Sequence, residues 1–415
     1  MKIRTLFLSI LAFAAIEGNA QKYVGGDISM LTKYEEAGVI YKDKSGNTVS
    51  DVLAFFKQEG LNAMRVRLFV NPSLDSDKAV CQDLDYVKKL GKRIKDAGML
   101  LMLDFHYSDS WADPDKQWTP DAWKTLSDED MKQKIYDYTK ECLQSMKNYG
   151  ATPDFIQTGN EISYGMLWGA KNSSSPKKCY VNNTANWDRF TDLLKRAGAA
   201  CREVCPAAKI VIHTERAAQP SVLTGFYDKM KSAAVDYDII GLSYYPAYHG
   251  NLNTLETALN RLESKNYGKD IMIVETGYCY AWPLTDKNED GKEDNYDYTS
   301  TYPYSEEGQR RFTADLVAKL NNHSSVKGLL WWWPEDNGNK SVTTNWWNAA
   351  LYNHNTGQPW AAFYELRNFL SEDASVHGIS TDGEINGNIY DLSGRRITEM
   401  KKPGVYIKGK RKIMK

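Results

Sequence analysis

What most constrains this chain is a recurrence: eight short apolar runs, each turning polar or aromatic at its end, with amphipathic stretches between them. The runs are "YVGGDISML", "AMRVRLFV", "LLMLDFHY", "DFIQTGNE", "KIVIHTE", "DIIGLSYYP", "DIMIVETGY" and "GLLWWWP". Short, apolar and largely free of helix signals, they read as strands. Between them, "LDYVKKLGKRIKDAG", "MKQKIYDYTKECLQSMKNYG" and "ETALNRLESK" place apolar residues at helical spacing. Strand and helix alternating over about 350 residues predict a (β/α)8 TIM barrel, with a doubly wound open sheet as the alternative. In a barrel of this kind the C-terminal ends of the strands line one mouth, so chemistry is expected at the polar endings.

Two of those endings carry a glutamate. Glu161 ends the fourth strand and Glu275 the seventh, which puts them on opposite sides of the mouth. Cleavage of a glycosidic bond needs two carboxyls across one site, one to protonate the leaving oxygen and one to attack or assist at the anomeric carbon. A single glutamate at a strand end is usually a solvated charge. Two of them, each behind a clean β run and among aromatic strand ends, argue for a pair.

Composition agrees with a large globular protein. The 415 residues are 42% apolar and 25% charged with a net charge of −1, which gives no sign of a nucleic-acid partner. The 12 Trp and 26 Tyr, against 12 Phe, offer flat apolar faces with a polar edge that suit sugar rings. Lys2 and Arg4, the run "LFLSILAFAAI", and the small residues Gly18 and Ala20 read as an export signal over residues 1–20, cut before Gln21. Export to the periplasm, cell surface or exterior is therefore expected. No later run reaches the roughly 18 apolar residues of a membrane span. The cysteines (81, 142, 179, 201, 205 and 279) form no CxxC pair, so zinc is not expected; disulfides and buried thiols both remain open.

From Gly25 to about Leu370 the chain resembles the endo-β-1,4-galactanases of glycoside hydrolase family 53. The resemblance rests on "GGDISML", "NAMRVRLFVNP", "LLMLDFHYSDSWADPDKQ", "IQTGNEISYGMLW", "GLSYYPAYHG", "IVETGY" and "WWNAALY", in that order. It implies a retaining endo-hydrolase of the galactan side chains of pectin, with Glu161 as acid/base, Glu275 as nucleophile, and Asn160 hydrogen-bonded to the sugar 2-hydroxyl. A xylan or mannan hydrolase is the rival within the class, and a non-catalytic carbohydrate-binding protein the rival outside it. A nucleophile must stay ionised, so a cation is needed beside Glu275; Arg67 is the first choice, with Arg65, two residues deeper on the same strand face, as a core residue. Tyr244 or Tyr245 is expected to donate to the same carboxylate. Asp27, Asp104, His106, Trp111, Asp113 and His249 lie in shared motifs and are expected to grip substrate, although His106 also suits a structural role. Trp332 resembles the tryptophan that floors the cleavage point, while Trp331 and Trp333 are expected to face the outer helices. The stretch "HTERA", His213 to Ala217, departs from the family pattern, as does the loop "EDNGNKSVTTN".

"DKNEDGKEDNYD" matches a calcium-loop template, with Asp286, Asn288, Asp290, Asp294 and Asp297 as side-chain ligands, the Lys292 carbonyl, and Gly291 at the turn. Bacterial members of the resembled family bind Ca2+ in the loop after strand seven. Five acids in nine residues repel one another without a cation, and a plain acidic loop is the other reading. The expected organisation is thus a catalytic barrel over residues 21–372, working as a monomer with structural calcium. Residues 373–415 are expected to form a β-rich tail ending in seven Lys or Arg and no acid from Lys401 onward, read as a sorting segment or a small appendage.

Overall fold

In a computed structural model of the chain, the described residues are 21–74, 79–342, 346–370 and four short C-terminal strands. The expected signal peptide lies outside them. Eight parallel strands close into a barrel in the order β1 to β8. They are β1 Tyr23–Asp27, β2 Ala63–Leu68, β3 Leu100–Phe105, β4 Phe155–Thr158, β5 Lys209–Thr214, β6 Ile239–Tyr244, β7 Asp270–Thr276 and β8 Val326–Trp332. A principal helix follows each: α1 Val52–Gln58, α2 Leu84–Asp96, α3 Asp128–Tyr149, α4 Trp187–Val204, α5 Pro220–Ser232, α6 Leu252–Lys265, α7 Glu306–Asn321 and α8 Ala361–Leu366. All eight predicted runs therefore became the barrel strands.

The helices start and stop where local chemistry dictates. The Ser127 side chain accepts from the Asp130 amide to cap α3, three acids occupy its first turn, and Gly150 at φ +84° ends it. In α2 the buried Val87, Leu90, Gly91 and Ile94 recur at helical spacing and turn one face onto the barrel.

Period-two alternation fills the barrel in layers. Its lower layers are Ala63, Met102, Phe155, Val211, Ile239, Met272, Val274 and Leu330, which form one buried apolar cluster. One step up the same strand faces, the row turns polar: Arg65 and Arg67, Asp104, Gln157, His213, Ser243 and Trp332. Register aligns Arg67 with Asp104 and Asp104 with Gln157 across β2, β3 and β4. An apolar plug thus supports a polar platform beneath the mouth.

The chain divides into two compact units, Met1–Ser375 and Val376–Lys415. In the second, strands Arg396–Ile397, Ile389–Tyr390, Val405–Lys408 and Arg411–Met414 pair antiparallel in that spatial order. The rest of the expected tail lies outside the described residues. All six cysteines are buried free thiols. No helix among the described residues is long and apolar enough to cross a membrane.

Candidate active site

The platform is organised around Arg65. Its fully buried guanidinium lies 2.9 Å from Asp27 Oδ2, 2.7 Å from Asp104 Oδ2 and 2.9 Å from Glu275 Oε1. It also donates to Asn160 Oδ1 at 2.9 Å and Gln157 Oε1 at 3.2 Å. Three carboxylates sharing one cation is a costly burial that only dense hydrogen bonding can sustain. Asp104 gains that support from Gln157 Nε2 at 2.6 Å and His106 Nε2 at 3.1 Å. Burial raises its pKa, but Arg65 and His106 outweigh this and hold it below the usual carboxylate value.

Arg65 corrects the sequence-based choice of Arg67 as the cation beside Glu275. Arg67 instead pairs with Asp27 at 3.2 Å, donates to the Ala79 carbonyl, and lies against the rings of Trp111 (4.4 Å), Trp333 (5.3 Å) and Trp332 (5.6 Å). It braces the aromatic floor by cation–π contact.

A β-bulge aims Glu275 into the mouth. Between β6 and β7 the register steps from Leu242 opposite Ile273 to Ser243 opposite Glu275, so Val274 is an extra residue. Met272 and Val274 both lie in the inner cluster, and strict alternation from them would turn Glu275 outward; the extra residue reverses the phase. Tyr245 Oη donates to Glu275 Oε2 at 3.0 Å. Tyr244, the other candidate, donates to the Gly250 carbonyl instead and stands away from the carboxylates.

Glu161 sits three residues beyond β4, on a turn built by Gly159 at φ +103°, where a Cβ would come within 2.7 Å of Ile162. Glu161 itself has φ +49°, a left-handed conformation that costs a non-glycine residue and recurs at functional sites. Gln117 holds the turn by donating to the carbonyls of Asn160 and Glu161. Ser243 Oγ donates to Glu161 Oε1 at 2.6 Å, and His213 Nε2 lies 2.9 Å from the same Oγ. His213 Nδ1 faces Gln157 Nε2 at 3.1 Å. Burial and then Arg65 keep this imidazole neutral, so a proton on Nε2 satisfies both contacts.

The two carboxyls occupy unequal environments. Burial, then the charge of Glu275, then that of Glu215, pushes Glu161 well above its usual value. Burial, with the charges of Asp104 and Asp27, outweighs the pull of Arg65 and Tyr245 and leaves Glu275 raised to about 7. Glu161 is thus pushed up by burial and by its like-charged neighbours, while Glu275 alone has a guanidinium beside it, the difference that acid/base and nucleophile require.

Several expected substrate grips take part in the platform. Asp27 and Asp104 are fully buried; Asp27 also accepts from Ser29 N and Oγ. His106 is buried, with Ala112 N donating to its Nδ1. His249 is buried, with Tyr245 N donating to its Nδ1, and burial lowers its pKa to about 4. Each of these four positions a neighbour. Asp113 remains partly exposed at the mouth but pairs with Lys116 at 2.7 Å. Asn160 donates Nδ2 to the Ala112 carbonyl at 2.8 Å.

Trp332 ends β8 on the inner face of the barrel, near Trp111 at 5.9 Å. Trp333 corrects the expectation that it faces the helices: at φ +49° it folds back and stacks on Trp332 at 5.5 Å and 12°. Trp331 does face outward, donating to the Ala349 carbonyl. Arg65, Gln117, Gln157, His213, Ser243 and Glu215 were missed as site residues. Their signal was a polar side chain inside an apolar β run, visible for Arg65, Gln157, His213 and Ser243.

The loop after β7 forms half of the calcium template. Asp286 accepts from the amides of Asp290 and Gly291, and Asp290 from that of Lys292, around Gly291 at φ +80°. Asp294 turns onto the Lys287 amide and Asp297 onto Thr299. Glu293, not an expected ligand, accepts from Leu284 N, Thr285 N and Tyr304 Oη and ties the loop down. Among the described residues no three acidic, His or Cys side chains group closely enough to hold a metal ion. The fit to calcium is therefore partial.

Against known proteins, the glycosyl hydrolase family 53 profile matches residues 23–363. The probable arabinogalactan endo-β-1,4-galactanase A of Neosartorya fischeri is 34% identical over 345 residues, covering 80% of this chain and 89% of that protein. The solved catalytic domain of a family 53 enzyme from Ignisphaera aggregans superposes with TM-score 0.71 at 30% identity, covering 84% of this chain and 96% of that one. A fungal β-1,4-galactanase structure superposes equally well at 27% identity, covering 84% and 99%.

Proposed function

The chain belongs to glycosyl hydrolase family 53, and on that premise we infer that it is an endo-β-1,4-galactanase, cutting inside galactan chains such as the type I arabinogalactan side chains of pectin. The observation that carries this reading is the carboxyl pair at the mouth: Glu275 2.9 Å from Arg65 and bonded by Tyr245, and Glu161 bonded by Ser243, beside the tryptophans at the end of β8.

The reaction follows from that pair by double displacement. Substrate lies with the apolar C–H face of one galactosyl residue on Trp332 and the scissile oxygen at Glu161. Glu161 gives its proton to the leaving oxygen while Glu275 attacks the anomeric carbon, forming a covalent glycosyl-enzyme. The remaining N–H of the Asn160 amide meets the sugar 2-hydroxyl. Water, deprotonated by the now ionised Glu161, then attacks from the opposite face and restores the β configuration. Ser243 accepts a hydrogen bond from His213 Nε2–H while its own hydroxyl donates to Glu161, so the acid/base keeps one orientation through both steps.

Release of new reducing ends from galactan, compared with xylan and mannan, tests the substrate assignment. Hydrolysis of xylan or mannan without galactan would overturn it. Export rests on the N-terminal sequence, and mass spectrometry of the secreted protein should find Gln21 first; retention of residues 1–20 would contradict it.

Structural calcium is supported by the hard oxygen donors at template spacing and by the turn at Gly291. Asp286, Asn288, Asp290 and the Lys292 carbonyl would provide the near side, with Asp294 and Asp297 turning in to close it.

A further inference from the structure

The end of β5 reads "HTERA", the stretch that departs from the family pattern, and it is laced to the turn that bears the acid/base. Three consecutive residues of that turn are hydrogen-bonded to it. Glu161 N donates to His213 Nδ1 at 3.4 Å, Ile162 N donates to the His213 carbonyl at 3.0 Å, and Ser163 Oγ donates to Glu215 Oε1. Arg216 completes the clamp: its Nε lies 2.9 Å from Glu215 Oε1 and donates to Ser163 Oγ at 2.8 Å. Its guanidinium rests on the Tyr164 ring at 4.1 Å, so residues 161 to 164 are all fixed from the end of β5.

Glu215 leaves only 8% of its surface in water. Its Oε1 is fully engaged, but Oε2 is buried with no hydrogen-bond partner among the described residues. A carboxylate compensated on one side only projects its charge onto its neighbours, because little water is present to screen it. Burial raises its pKa, and Arg216 and then Ser163 pull against that. After burial and the charge of Glu275, Glu215 is the neighbour that most raises Glu161, ahead of Asp113 from the loop after β3. Other ionisable groups face the two carboxyls in neutral form: His213 on β5, Tyr227 on α5, and Tyr245, Tyr248 and His249 from the turn after β6. Apart from Glu161 itself, only Glu275 changes its charge during the reaction.

That change gives Glu215 its importance. In the glycosyl-enzyme Glu275 is an ester and carries no charge, so Glu161 loses its strongest like-charged neighbour when it must act as a base. Water then gives its proton to Glu161 while its oxygen bonds the anomeric carbon and Glu275 leaves as a carboxylate. The charge on Glu215 is present through both half-reactions. We propose that Glu215 is a positioning residue for the acid/base: through Ser163 it fixes the turn that carries Glu161, and through its constant charge it keeps Glu161 a strong enough base to take the proton of the attacking water. The inference rests on the role given to Glu161 in the galactanase reading and adds a third carboxylate that never touches substrate.

The test uses the full chain and separates the charge from the clamp. Glu215→Gln removes the charge and keeps an oxygen that accepts from Ser163, so the alkaline limb of kcat/KM on galactan, which Glu161 sets, should move down by about one unit. On an activated aryl galactoside, where hydrolysis of the intermediate limits turnover, kcat should fall about 3- to 10-fold and KM should fall with it as the intermediate accumulates. Glu215→Asp keeps the charge and should leave the limb in place. Ser163→Ala breaks the clamp and keeps the charge, so kcat should drop at every pH with the limb unmoved. An unmoved limb in Glu215→Gln, an equal displacement in Glu215→Asp, or full kcat in Ser163→Ala overturns the proposal. Should Glu215→Gln melt early, Glu215→Ser, which also removes the charge, takes its place in the comparison. If the wild-type chain cuts no galactan, the galactanase reading fails on its own. Carboxyl 13C NMR, with Glu161→Gln to assign the resonance, then still reads Glu161 without turnover: a titration lowered in Glu215→Gln supports the proposal, and an unchanged one overturns it.

Discussion

Replacing Arg65 by lysine tests the platform most sharply, because the charge is kept and the fork is lost. The guanidinium spans three carboxylates at 2.7 to 2.9 Å and two side-chain amides. An ammonium has three donors on a single point and cannot reach Asp27, Asp104 and Glu275 together. Removing one partner of a buried ion pair costs about 3–5 kcal/mol; with the charge retained, a loss of about 2–3 kcal/mol is expected. Arg65 pulls the Glu275 pKa down, so weakening the contact should raise it. Each unit corresponds to about 1.4 kcal/mol, and loss of one of three contacts should move the acidic limb of kcat/KM up by about one unit. Activity at pH 7 should fall by about 10- to 100-fold, with partial recovery toward pH 8. Arg67→Lys is the control: it should raise KM through the tryptophan floor and leave the acidic limb in place. Galactan hydrolysis measured from pH 4 to 9, beside thermal melts, decides the matter. An unmoved limb in Arg65→Lys, with a moved one in Arg67→Lys, would refute the assignment.

Three further outcomes follow from the same geometry. The folded pKa of Glu275, about 7, exceeds its ordinary 4.5, so its burial costs nothing below pH 4.5 and up to about 3 kcal/mol as pH rises through 7; Glu275→Gln should match wild type in melts at pH 4 and melt higher above pH 7. Ser243 lowers the Glu161 pKa by its hydrogen bond, so Ser243→Ala should move the alkaline limb of the pH profile upward with a few-fold loss of kcat. Chelator should lower the melting temperature by several degrees and calcium restore it better than magnesium, since ligand at about a hundred times Kd contributes about 2.7 kcal/mol; equal melting in chelator and calcium, with no heat of binding, would leave an acidic loop.

The architecture was legible because each strand announces itself twice, by an apolar run and by the polar residue that ends it. The pair Glu161 and Glu275 was legible as strand-end glutamates in motifs with few other uses. Fine geometry was not. Arg65 and Arg67 share one strand face, so periodicity could not say which lies level with Glu275; that depends on how β2 and β7 meet across the barrel. Alternation alone would have turned Glu275 outward, because the bulge at Val274 leaves no mark in the sequence. Trp333 escaped for a related reason: its left-handed backbone stacks it on Trp332, where a regular strand would send neighbours to opposite faces. Asp27, Asp104 and His106 are written in the same motifs as the catalytic residues, and only the structure shows that the two aspartates hold the arginines and that His106 holds Asp104.

The central claim is that Glu275 attacks and Glu161 handles the proton. Azide rescue of the two alanine variants on an activated galactoside tests it directly. With Glu275→Ala, azide enters the vacated face and the product should be the inverted α-galactosyl azide. With Glu161→Ala, the covalent intermediate still forms on Glu275, azide needs no general base, and the product should be the retained β-galactosyl azide. NMR of the two products reads the configuration, and an α-azide from Glu161→Ala with a β-azide from Glu275→Ala would contradict the account by exchanging the roles.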